Sequence, residues 1–180
     1  MRRSLSLWQF AGFVFTGILG VILHFLFDWT NESIFVAPIS AVNESIFEHM
    51  KILFVPMFLF AVIENKFIGE EYDDFWCVKF FGIVLGIFLI TFLYYMLNGI
   101  FGKTPDFINI AIFYIATGAA YVAETKMLKN DNINCDSVGT TFFAFALLLL
   151  LFVQFTFFTP KIPLFQDPIT GTYGYFQTEK

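Results

Sequence analysis

Five apolar stretches, at 8–28, 44–66, 78–101, 107–124 and 138–159, take up most of the chain. Each is close to the roughly 20 residues that an α-helix needs to cross about 30 Å of hydrocarbon. Lipid offers no partner to a free backbone N–H or C=O, so a segment of this kind must satisfy its own backbone as a helix. The expectation is an all-α fold: a polytopic membrane bundle of five transmembrane helices, one domain over 1–180, with a tail at 160–180 outside the last span. Composition agrees, since 58% of the residues are hydrophobic and only 14% charged. That leaves no room for a separate soluble catalytic domain.

The net charge of −5 gathers in Glu70, Glu71, Asp73 and Asp74, which argues against nucleic acid as a partner. The opening Met1-Arg2-Arg3 and the apolar run from Trp8 read as the first span. The run is too long for a signal segment, contains His24 and lacks a small-x-small cleavage site. With the N-terminus cytoplasmic, Arg2, Arg3, Lys66, Lys79, Lys126 and Lys129 fall inside, and Lys51, Lys103, Lys161 and Lys180 outside. The C-terminal tail is then external, and Cys77 and Cys135 are expected as free, cytoplasmic thiols. Small residues at Gly12, Thr16 and Gly20, at Gly82 and Gly86, and at Ala116 and Ala120 mark helix faces that pack closely.

The second span stands apart. Its purely apolar part runs only from Ile52 to Ile63, so the polar turns at 44–51 must continue the helix into the bundle. On a helix starting there, capped by Asn43, Glu44, Glu48 and Lys51 share one stripe, and Ser45 and His49 occupy the next. In the first span Gly17, Gly20, His24 and Asp28 share a stripe, which turns His24 inward. Pro56 frees the carbonyl of Ile52 one turn below His49. Ionisable groups at this depth cost several kcal/mol unless paired or hydrated, so they are functional candidates, and the bland alternative is a Glu48–Lys51 ion pair at the outer interface.

His24, Glu44, Glu48, His49 and Lys51 are therefore the expected substrate-binding set. His24, Glu44, Glu48 and His49 offer the mixed nitrogen and oxygen donors that suit a divalent metal. Glu48 and His49 are the catalytic pair if the protein is an enzyme. Neither His-Glu-x-x-His nor Glu-x-x-His occurs. Glu64 and Glu124 are expected to be hydrated near the inner interface. Tyr94, Asn98 and Gln154 either line the same cavity or bond to a neighbouring helix. Asn-Glu-Ser-Ile-Phe occurs at 31–35 and again at 43–47, but the longer periodicity of a duplication is missing. Beyond the fifth span Pro160, Pro163 and Pro168 forbid helix, and the tail either folds back as a lid or forms an ordinary ordered end.

The run Val42-Asn43-Glu44-Ser45 followed by Glu48-His49 and Lys51, with His24-Phe25 upstream, resembles an uncharacterised family of small multi-pass bacterial membrane proteins. The tail, with Ile162-Pro163-Leu164-Phe165, Asp167-Pro168 and Thr170-Gly171-Thr172-Tyr173-Gly174, is similar as well. The resembling pattern is Pro-Val-Asn-Glu-Ser-x-x-Glu-His-x-Lys, and Ala41 stands in the proline position here. This resemblance implies a multi-pass architecture and supplies no reaction.

Three readings follow. The first is a multi-pass protein of the cell membrane with an outward-facing polar pocket for a small polar solute or cation, used for proton-linked transport. A chain of this size would then need self-association or a membrane partner subunit to complete a path. The second is a membrane-embedded hydrolase or transferase in which Glu48 activates water, with or without metal. The third is an assembly subunit whose polar residues only pair helices.

Overall fold

The computed structural model describes residues 5–102, 104–130 and 137–175, apart from the side chain of residue 106. Arg2, Arg3, Lys103, Cys135 and Lys180, which entered the orientation argument, lie outside the described residues. Five helices form: α1 (Leu5–Trp29), α2 (Ile46–Ile68), α3 (Phe75–Phe101), α4 (Asp106–Leu128) and α5 (Val138–Phe157). Each is long and apolar enough to cross a membrane. The boundaries shift from the hydropathy reading in a telling way. α2 begins two residues later than position 44, and α4 runs four residues beyond 124, because Glu124 is a buried helical residue and not an aqueous end.

Consecutive helices run antiparallel, and α2 is central. In its most apolar window 72% of residues are buried, against 39% at most in the other four helices, whose apolar side chains are left largely uncovered. Its aromatic and aliphatic side chains, among them Leu53, Phe54, Met57 and Phe60, form the middle of the core. Pro56 lies inside the helix without ending it.

The small residues act as seats for rings. A Cβ at Gly12 would come within 2.6 Å of Tyr121 and 2.7 Å of Phe60, and one at Gly20 within 2.7 Å of Phe113. Thr16, Ala116 and Ala120 are fully buried on the same interfaces. Close approach between α1 and its neighbours is thus secured by a large side chain lying on a bare backbone. Cys77, near the start of α3, is disulfide-bonded. This corrects the expected free thiol and removes the support that reduced cysteines lent to a cytoplasmic placement of that end.

Candidate metal centre

His24 lies in the last third of α1. Beyond Trp29 the chain reverses through Asn31 and Glu32, both in the left-handed region with φ of 52° and 58°. The connection then folds back onto the bundle, and the Ala41 amide donates to the Leu23 carbonyl at 3.2 Å. The Asn43 side chain accepts from the Ser45 amide at 2.9 Å, closing a tight turn just ahead of α2. Asn43 is therefore not the helix cap: Ser45 occupies that position, and Glu44 precedes the helix. Glu44 is accordingly off the stripe that carries Glu48 and Lys51.

Its carboxylate lies between two imidazoles. Glu44 Oε1 is 3.4 Å from His24 Nε2, and Glu44 Oε2 is 3.8 Å from His49 Nε2. The two rings are 5.4 Å apart, and one donor atom from each of the three residues falls within 4.8 Å of the others. Two ligand atoms bound about 2.1 Å from a tetrahedral zinc are separated by about 3.4 Å, so the set needs to contract only slightly to hold an ion. His24, Glu44 and His49 thus form a triad able to coordinate a divalent metal. All three are half-buried, neither sealed in the core nor open at the surface.

The backbone fixes which nitrogen of His49 is available. Nδ1 is 2.8 Å from the Ser45 carbonyl oxygen. A carbonyl can only accept, so Nδ1 carries the proton and the lone pair of the neutral ring is on Nε2, pointing at Glu44. A backbone carbonyl bonded to the far nitrogen is the usual way a metal-binding histidine is held in orientation.

Glu48 and Lys51 are elsewhere. Their side chains form an ion pair at 2.6 Å and are sealed from solvent, with relative exposures of 1% and 0%. The pair has further partners: Glu48 Oε2 accepts from the Val42 amide at 3.1 Å, and Lys51 Nζ donates to the Ala37 carbonyl at 2.8 Å and to Thr156 Oγ1 at 2.9 Å. Of the five expected site residues the structure brings three together and separates these two. The sealed pair ties the 36–45 connection to α2 and α5, and so positions Glu44 through the backbone.

A cavity of about 400 Å³ lies beside the triad between α1 and α4, with His24, Glu44, His49 and Asn109 on its polar side. A smaller hollow of about 60 Å³ adjoins it, lined by Tyr94 and Asn98 as well as Glu44 and His49. Gln154, the third expected lining residue, is exposed on α5 instead. The tail does fold back. Asp167 Oδ2 accepts from the Glu44 amide at 3.4 Å, and Asp167 Oδ1 accepts from the Ile169 and Thr170 amides at 2.7 and 3.1 Å. Phe165 packs on Phe47 at 4.6 Å, and Ile169 lies against both hollows.

At the opposite end a second polar cluster joins four helices. Lys79 of α3 contacts Glu64 of α2 at 2.5 Å and Glu124 of α4 at 2.6 Å, and Gln9 of α1 donates to Glu64 at 2.8 Å. All four side chains are 3% exposed or less, which corrects the expectation that Glu64 and Glu124 are hydrated. Gly82 makes room for this arrangement, since a Cβ there would overlap the Glu124 carboxyl group. Each of these residues sits within or against an apolar run, which was the signal available from sequence, but their meeting was not.

No curated protein and no solved structure matches the chain. A family model does, over residues 1–175, and the chain belongs to that family, the family of unknown function DUF6512.

Proposed function

We propose that the chain is a multi-pass protein of the cell membrane acting as a metal-dependent hydrolase or transferase, with His24, Glu44 and His49 holding a divalent ion of the zinc class. The observation that carries this reading is the pairing of two acceptors: the bare Nε2 of His49 faces a carboxylate oxygen 3.8 Å away. Two lone pairs aimed at one another call for a cation between them. Three protein ligands leave a further position for water or a substrate oxygen, and a bound ion lowers the pKa of that water into the range where hydroxide is available at neutral pH.

Asn109, at the polar side of the cavity, is placed to orient a substrate carbonyl or phosphoryl group. Glu48 is not the base in this reading, because its carboxylate is engaged by Lys51 and the Val42 amide. The carrier reading fits less well. A pocket for a free polar solute needs polar groups around its circumference, whereas Val21, Phe25, Ile52, Ile110 and Phe113 form most of these walls. Placing this end of the bundle outside rests on Arg2 and Arg3 in the sequence, because the lysines divide equally between the two ends.

The test is metal analysis of protein purified in detergent without chelator, followed by stripping and calorimetric titration with Zn²⁺. About one ion per chain is expected, retained in Asp28→Asn and lost in His24→Ala and in His49→Ala. Chromogenic ester and phosphodiester substrates should be turned over only by the metal-loaded protein. Wild-type protein that neither retains nor rebinds metal would end the proposal, leaving an imidazolium–carboxylate contact in its place.

A further inference from the structure

We infer that the substrate of this site is a membrane lipid, drawn sideways from the bilayer between α1 and α4, its acyl chain in the apolar part of the cavity and its headgroup at the triad; the inference rests on the metal-site reading. The cavity is two-sided in its chemistry. Polar groups gather at one side, and the remaining walls are aliphatic and aromatic.

Those walls do not end inside the protein. Val21 and Phe25 of α1 are 46% and 44% exposed, and Ile110 and Tyr114 of α4 are 59% and 37% exposed. All four line the cavity and also belong to the outer surface of the bundle, so the hollow opens through the gap between the two helices onto the face that apolar helices give to hydrocarbon. The floor is closed where the Phe113 ring lies on Gly20 and the Tyr114 ring on Gly17. Toward the aqueous end, Ile169 of the folded-back tail adds an apolar side chain to the lining.

Depth agrees with this assignment. His24 is five residues, or about 7.5 Å, below the end of α1 at Trp29, and Val21 is about 12 Å below it. Trp29 is exposed, as a residue at the interface is expected to be. The triad thus lies at headgroup depth, and the apolar walls run on into the depth of acyl chains. An ion held by two neutral imidazoles and one carboxylate keeps net positive charge, which suits an anionic headgroup with an ester or phosphodiester bond to present.

The test uses full-length protein reconstituted in vesicles with phosphatidylglycerol bearing a diazirine midway along one acyl chain. After photolysis, mass spectrometry should place label preferentially on α1 near 20–25 and α4 near 110–114. Val21→Trp and Ile110→Trp fill the cavity without touching a ligand, and each should reduce label on the opposite wall several-fold while bound metal stays stoichiometric. Phe92→Trp, on the exposed face of α3, should change nothing and serves as the folding control. Even labelling of all lipid-facing helices, or labelling insensitive to the two tryptophans, overturns the inference even where metal is bound. Groove labelling that both tryptophans abolish in a protein without metal keeps the lipid groove and rejects the metal centre.

Discussion

Replacing Lys79 with methionine isolates the energetics of the buried cluster joining α1 to α4. The ammonium is 2% exposed and lies 2.5 Å from Glu64 and 2.6 Å from Glu124. Its removal leaves two carboxylates, each 1% exposed or less, without a counter-charge in the middle of an apolar bundle. Breaking a buried pair from one side costs about 3–5 kcal/mol, and here two acids lose their partner at once, so the upper part of that range is expected. Glu124→Gln is the informative comparison. It removes one charge from a trio that has two acids and one base, and leaves Glu64 and Lys79 as a matched pair. The loss is then about one charge-assisted hydrogen bond, partly offset by the relief of excess charge, and should stay under about 2 kcal/mol. The triple variant Lys79→Met, Glu64→Gln, Glu124→Gln should recover most of the single-lysine loss, because no charge remains to be desolvated. Unfolding in mixed micelles can be followed by the fluorescence of Trp8 and Trp76, which pack at this end. A Lys79→Met loss below about 1 kcal/mol, the value of an exposed ion pair, would show the cluster to be hydrated and the reasoning to be wrong.

Gly82→Ala should disturb the same cluster without changing its charge, since the added methyl overlaps Glu124; a loss of about 1–3 kcal/mol in the same assay is expected. Lys51→Met should release the 36–45 connection from α2 and α5, and with it the placement of Glu44; Zn²⁺ affinity should fall about 10–100-fold by titration although no ligand is altered. Asp167→Ala removes the acceptor of the Glu44, Ile169 and Thr170 amides; protease cleavage within 160–175 should accelerate, with a stability loss of about 1 kcal/mol.

The polar residues divide into two kinds. A charge is tolerated at depth when oppositely charged or hydrogen-bonding groups enclose it completely, as happens to Lys51 and Lys79. His24, Glu44 and His49 are instead half-buried, and in the proposed reading a bound ion completes their shell. Both kinds carry the same cost argument from sequence, so cost alone marks a polar residue as meaningful without telling pairing from binding.

The amino-acid order by itself determined the five helices, because crossing length and hydropathy are local properties readable in any window of about 20 residues. It also determined that α2 continues past its short apolar part into polar turns, and that glycines at 12, 20 and 82 face neighbouring helices. What it left open were matters of distance between segments far apart in the chain. Glu44 meets His24 only because the connection folds back on Leu23 and the helix starts at Ile46; two residues of difference in that start separated Glu44 from the Glu48 stripe. Lys51 is sealed by Ala37 and Thr156, and Lys79 by acids 15 and 45 positions away, and no periodicity in one helix reports the register of another. Helical pattern follows from the chain's own backbone, whereas which charges close on each other and which stay open is settled by how the helices rotate and slide when they pack.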